Sequence, residues 1–193
     1  MQKTTAIRWT TLLWCAAAAL TVATVAACGS GDAATTTAAP ATADTSDPLA
    51  CETLTGLTLA DTAITLAETV PAGPFTPPGA NQALELPGFC RVVAMTQPAV
   101  NFEVWLPTEG WNGKFHTSGN GGMAGSISYR AMATALNRGY SAASTDTGHV
   151  RGDGGFDANW ALNRPDLIED FGHRSIHLTA VHGKAISEAF YGD

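Results

Sequence analysis

Gly119-Asn120-Gly121-Gly122-Met123-Ala124-Gly125 is the stretch on which the reading of this chain turns, because it is too glycine-rich for any regular element. Before it, Asn101–Leu106, bracketed by Pro98 and Pro107, alternates Phe102, Val104 and Leu106 with Glu103 and Trp105, the period expected of a strand with one buried face. Lys114–Ser118 predicts another strand, preceded by the turn Trp111-Asn112-Gly113. After it, Tyr129–Asn137 reads as a helix stopped by Gly139, and Tyr140–Thr145 as a short buried strand. Ile64–Val70 and Phe89–Thr96 predict two more strands, and the Pro- and Gly-rich Pro71–Gly79 a loop. Beyond an irregular Asp146–Arg164, Pro165 opens a helix at the position where its missing N–H costs nothing. Asp166, Glu169 and Asp170 in its early turns favour the helix dipole. Ile176, Ala180, Gly183, Ile186 and Phe190 trace its apolar stripe as far as Gly192. Strand, glycine loop, helix, strand, helix is the alternation of an α/β sheet.

A glycine loop after a strand lets backbone N–H groups approach a ligand and point at developing negative charge. Dinucleotide binding fits poorly, because Gly119-x-Gly121-Gly122 lacks the G-x-G-x-x-G spacing. No Gly-Lys-Ser/Thr follows, which excludes a P-loop. The plainer alternative is a loop that is merely flexible.

The 193 residues suit about one domain. With 10 Lys+Arg against 17 Asp+Glu the net charge is −7, which argues against nucleic acid as a partner. Lys3 and Arg8 precede an apolar run, Thr11–Ala27, that ends in Val25-Ala26-Ala27-Cys28. A basic start, a short apolar run and small residues before a cut site predict a signal peptide over residues 1–27. Val-Ala-Ala-Cys resembles the lipobox of bacterial lipoproteins, in which the cysteine becomes the lipidated N-terminus. The expected localisation is then export, with Cys28 anchoring the protein to the membrane outer face or cell surface. Each buried CH₂ of such an anchor contributes about 0.8 kcal/mol. An ordinary signal peptide with an incidental cysteine is the alternative. Cleavage removes two basic residues and no acidic one, so the mature chain is more acidic still.

Residues 28–47 lack any large apolar side chain and predict a flexible linker. The folded part is expected over residues 48–193. Cys51 and Cys90 remain, an even pair in an exported domain, and read as a disulfide. Two separate thiols are the alternative; a metal site is disfavoured because no His or Cys lies at a short spacing from either.

A family resemblance covers about residues 51–193. Phe89-Cys90-Arg91-Val92, Asn101-Phe102-Glu103-Val104-Trp105-Leu106-Pro107, Trp111-Asn112-Gly113-Lys114-Phe115 and the Gly119–Gly125 loop resemble the opening blocks of the tannase/feruloyl esterase family. The order continues through Met132, Gly139-Tyr140, Ser144-Thr145-Asp146-Thr147-Gly148-His149, Asp170-Phe171-Gly172-His173-Arg174-Ser175-Ile176-His177, Lys184 and Phe190-Tyr191-Gly192. The resemblance implies the N-terminal part of an α/β-hydrolase sheet with flanking helices, and hydrolysis of aromatic (phenolic) acid esters by a serine esterase. In that family the nucleophile motif Gly-Cys-Ser-x-Gly-Gly follows shortly after the Tyr-Gly that here is Tyr191-Gly192. The catalytic acid, the histidine and a lid with a calcium site come later still. The expectation is therefore a truncated member, inactive by itself, with no triad and no cofactor in these residues. Ser118, Ser126, Ser128 and Ser144 have no Gly-x-Ser-x-Gly context. By analogy with the first donor loop of α/β-hydrolases, the amides of Gly121 and then Gly122 are the oxyanion-hole candidates.

Asp146 and His149 follow a predicted strand, where α/β sites collect residues, and are site-adjacent candidates that could bond each other. His173 and His177 have the spacing of a zinc pair, but Arg174 stands where a zinc peptidase helix has Glu, and they read as structural or surface residues. Trp105 and Trp111 read as core and turn anchors. The competing functional reading is a non-catalytic exported lipoprotein that binds phenolic ligands or a partner.

Overall fold

The computed structural model describes residues 49–150 and 156–192. The predicted signal peptide, Cys28 and the 28–47 linker lie outside the described residues. The described chain is built on a five-stranded mixed sheet. Its strands are β1 (Thr62–Val70), β4 (Phe89–Thr96), β5 (Val100–Pro107), β6 (Phe115–Ser118) and β7 (Ser141–Thr145), in the order β1-β4-β5-β7-β6. A two-stranded hairpin, β2 (Gly73–Phe75) with β3 (Leu84–Leu86), stands apart from it. β4 and β5 pair antiparallel from Phe89↔Pro107 to Thr96↔Val100, and the turn between them holds a cis Gln97–Pro98 bond. β1 flanks β4 antiparallel, and β7 flanks β5 antiparallel. β6 and β7 run parallel, joined by helix α1 (Tyr129–Leu136). A parallel pair needs such a crossover, and the glycine loop and helix supply it.

Both faces of the sheet are covered. Phe102, Val104, Leu106 and Ala143 pack with Ile186 and Phe190 of helix α3 (Ser175–Tyr191). Their neighbours Trp105 and Ala142 point the other way, into Met132, Ala133 and Leu136 of α1 and Leu86 of β3. The alternation along β5 is therefore real, but it does not separate core from solvent: Glu103 is 2% exposed and Trp105 fully buried. The β2–β3 hairpin closes that face, with Phe75 edge-on to Phe89 at 5.4 Å and to Trp105 at 5.6 Å. The expected Pro71–Gly79 loop thus contains β2, whose three residues are too few to show a period.

The C-terminal helix begins as expected with Pro165, as α2 (Pro165–Glu169), and widens into a π turn over Asp170–Arg174 before α3. The buried side of α3 is Ser175, Thr179, His182, Gly183, Ile186, Ser187 and Phe190. Ile176 and Ala180 of the expected stripe are only half-buried, because the π turn shifts the phase of the helix that follows. Burial lowers the His182 pKa, and His177 adds to the effect. An imidazole kept neutral in the fold titrates more readily once unfolded. It contributes stability above the ordinary histidine value of about 6.5 and loses it as pH falls through that value. Urea unfolding at about pH 7.5 and 5.5 should therefore show a smaller drop in stability for His182→Leu than for the parent chain.

The disulfide forms between Cys51, at the start of a 3-10 turn (Cys51–Gly56), and Cys90 of β4, closing a separation of 39 residues. Near the amino edge of the parallel strands, Gly139 takes φ +75°, and a Cβ there would lie 2.5 Å from the Gly110 carbonyl oxygen. Trp111 is a turn anchor: its ring stacks on Tyr191 at 3.8 Å, and Tyr191 donates to the Pro107 carbonyl at 2.8 Å.

Candidate active-site edge

The loops that follow β6 and β7 lie together at the carboxyl ends of the parallel pair, the edge where α/β sheets gather ligands. The glycine loop is stitched down at both ends. Asn120 Nδ2 donates to the Thr145 carbonyl at 2.8 Å. Ser128 donates its amide to Ser144 Oγ at 2.9 Å and its hydroxyl to the Gly119 carbonyl at 3.2 Å. Between these points the chain turns, with Gly122 at φ +59° and the Ala124 amide donating to the Gly121 carbonyl at 3.3 Å. Gly121 and Gly122 are exposed, and a Cβ on Gly121 would meet nothing within 4 Å. Among the described residues neither glycine amide has an acceptor. The turn is therefore tied down at both ends, and it carries two backbone N–H groups without an acceptor among the described residues.

Asp146 and His149 both sit at this edge, but they do not bond each other. Asp146 Oδ1 accepts the amides of Asn101 at 3.0 Å and Gly148 at 2.9 Å, and Oδ2 accepts Asn101 Nδ2 at 2.7 Å. It thereby clamps the start of β5 to the end of β7. Burial raises its pKa, with the Asn101 and Gly148 bonds opposing. His149 is buried; its Nε2 lies 3.1 Å from the Met123 carbonyl in the glycine loop and its Nδ1 3.3 Å from Thr147 Oγ1. Its ring is sandwiched against Trp160, stacked at 3.9 Å, with Phe171 edge-on at 5.6 Å. Asp170, 1% exposed, pairs with Arg174, which also reaches the Gln97 carbonyl at 2.6 Å. A Cβ on Gly148 would lie 2.9 Å from Asp170 Cβ, so the β7 loop and the π turn are in close contact.

Sequence reasoning passed over three members of this edge. Asn120 lay inside the glycine motif, where its side chain rather than its backbone holds the loop. Trp160 sat in a stretch read as irregular. Glu103 reads as a solvent-facing residue but anchors the other side of the loop. Its carboxylate accepts Arg91 through Nε and Nη2 at 2.9 and 2.7 Å, Trp105 Nε1 at 2.9 Å and the Tyr129 hydroxyl at 3.0 Å. Tyr129 opens α1 directly after the loop. Burial, with Glu103 adding, pushes the Tyr129 phenol well above its usual range.

His173 and His177 are exposed, and no group of three His, Cys, Asp or Glu that could hold a metal ion occurs among the described residues. Ser118 Oγ lies 2.9 Å from His116 Nε2, but among the described residues no carboxylate orients that ring. No described helix is long and apolar enough to cross a membrane.

A family model described as tannase and feruloyl esterase matches residues 84–193. The chain is 42% identical over 145 residues to an uncharacterized esterase of Xanthomonas campestris pv. campestris, an overlap covering 73% of this chain and 25% of that protein. It is 33% identical over 134 residues to feruloyl esterase C of Talaromyces stipitatus, covering 67% of this chain and 23% of that one. Among solved structures, an esterase from Aspergillus oryzae superposes with TM-score 0.65 at 25% identity, over 74% of this chain and 30% of that one. Feruloyl esterase B from the same organism gives 0.62 at 28% identity, over 74% and 29%. The chain thus spans about a quarter of the length of the curated relatives it matches.

Proposed function

Since the chain belongs to the tannase and feruloyl esterase family and carries the α/β-hydrolase type of sheet seen in its esterase neighbours, we propose that it is the oxyanion-binding portion of a serine esterase acting on aromatic acid esters. The observation that carries this reading is the glycine turn after β6, where the exposed Gly121 and Gly122 have amides without an acceptor among the described residues. In this reading a serine hydroxyl from sequence beyond these residues attacks the ester carbonyl, and its proton passes to a histidine that is likewise beyond them. The carbonyl oxygen becomes an oxyanion, and the Gly121 amide, with Gly122 beside it, donates to it. The second donor is the amide after the nucleophile. Asn120 and His149 position the glycine loop, Asp146 fastens the loop after β7 to β5, and none of the three touches the reacting atoms.

The test is a chimera in which residues 49–192 replace the matching segment of the Xanthomonas relative, assayed on methyl ferulate. Turnover is expected. Gly121→Pro, which deletes the amide, should lower kcat by about 10²- to 10³-fold with KM little changed. An unchanged kcat in a folded Gly121→Pro chimera would remove the oxyanion role. The 193-residue chain by itself is expected to show no turnover, and measurable hydrolysis by it would overturn that part of the reading.

We propose further that the N-terminus directs export and that Cys28 carries lipid at the outer face of a bacterial membrane. Cells fed labelled palmitate should label this protein and not its Cys28→Ala variant.

A further inference from the structure

We propose that Trp160 and Phe171 are positioning residues for the Gly122 amide, which they orient through the His149 ring. The path starts at the carbonyl of Met123, the residue after Gly122. A carbonyl only accepts, so His149 Nε2 carries a proton and donates to it at 3.1 Å. That carbonyl shares a planar peptide unit with the Ala124 N–H, which donates to the Gly121 carbonyl at 3.3 Å. The Gly121 carbonyl in turn shares its unit with the Gly122 N–H, and in a trans unit the two point in opposite directions. Holding the Met123 carbonyl therefore sets the direction in which Gly122 donates.

The imidazole has little freedom of its own. It stacks on Trp160 at 3.9 Å, Phe171 stands edge-on to it at 5.6 Å, and Trp160 and Phe171 meet at 5.2 Å, so the three rings close a triangle. Phe171 comes from the π turn, a rare helical distortion that is frequent at functional sites. The Asp170–Arg174 pair and the Arg174 bond to the Gln97 carbonyl tie that turn to the β4–β5 connection. The backbone just before His149 is strained: Thr147, buried and β-branched, has φ +61°, and Gly148 follows at φ +81°. Such strain persists only where its surroundings over-determine it, and it gathers at functional sites. The role of the two aromatic residues rests on the esterase reading for its effect on catalysis, and not for its effect on the glycine turn.

Two measurements test it. In the 193-residue chain carrying isotope-labelled glycine, the Gly122 amide should show an NMR order parameter of about 0.85, that of rigid backbone. His149→Phe keeps a ring in the stack and deletes the donor, and should lower the value below about 0.6. Trp160→Ala frees the imidazole and should do the same, whereas Trp160→Phe keeps a ring to stack on and should restore order. Should Trp160→Ala fail to fold, Phe171→Leu, a smaller change to the same triangle, takes its place with the same expectation. In the chimera, Trp160→Ala and His149→Phe should each lower kcat on methyl ferulate by about tenfold to a hundredfold with KM little changed. His149→Gln, whose side-chain N–H stands in for Nε2, should recover most of that loss. A Gly122 amide that is mobile in the parent chain, or that stays rigid in the folded variants, would overturn the inference. So would an active chimera in which the variants lose stability or raise KM and leave kcat unchanged. An inactive chimera, with a glycine turn that nevertheless responds as expected, would overturn the esterase reading alone.

Discussion

Replacing Glu103 with alanine should cost about 3–5 kcal/mol of folding stability, read as the shift in urea unfolding free energy. The wild-type side chain is almost completely buried and satisfies four donors at once: two from Arg91, one from Trp105 and one from Tyr129. Truncation strands the Arg91 guanidinium, itself only 11% exposed, with Glu68 as its remaining carboxylate at 3.0 Å. The stranded guanidinium cannot escape by losing its proton, since an arginine side chain stays charged in proteins even without Glu103 to raise its pKa. Glu103→Gln keeps one acceptor oxygen, fills the same space and removes the charge, and should lose less, though its NH2 would face donors that the second carboxylate oxygen now accepts. Pairing Glu103→Leu with Arg91→Met should recover only part of the loss, because Trp105 Nε1 and the Tyr129 hydroxyl would still lack an acceptor. A loss below about 1 kcal/mol for Glu103→Ala would mean that water or a rearranged Glu68 replaces the network.

Cys51→Ala with Cys90→Ala should be nearly as damaging. Opening a loop of 39 residues removes about 3–4 kcal/mol in the chain-entropy account, and two buried sulfurs lose their packing as well. The bond fastens the first turn of the described chain to β4, in the layer that α3 covers. A reductant should lower the melting temperature of the parent chain and leave the double variant unmoved, with the two then coinciding. A reductant effect that persists in the variant would point to other thiols.

How far the sequence spoke depended on the length of each element and on what covered it. β4, β5, β6, β7 and α1 fell within a residue or two of their expected places, because glycine, proline and asparagine punctuate them sharply. The β2–β3 hairpin did not announce itself: two strands of three residues carry no measurable period. Glu103 misled for a different reason. Period two correctly put it opposite Phe102 and Val104, but whether that opposite face is wet depends on α1 and the hairpin, which lie far away in sequence. A hint existed in Arg91, a single cation in an otherwise apolar β4 whose partner had to be sought on a neighbouring strand. At the site, the glycine loop was legible because its composition is unusual. The role of Asn120 was not, since a side chain that bonds a carbonyl 25 residues away leaves no local trace. Asp146 and His149 follow directly on β7. Their separate partners, Asn101 for one and Met123 for the other, follow only from the packed loops.

The Leu49 amide donates to the Phe190 carbonyl at 2.9 Å, and Tyr191 closes on Pro107 at the far end of β5 from Asn101. The first and last described residues are therefore neighbours, at the pole opposite the glycine turn. An affinity handle joined at Leu49 or at Gly192 would turn this pole toward a sensor chip and leave the glycine turn on the side facing the flowing solution. Attachment at either of these two points should then report the same small-molecule affinities.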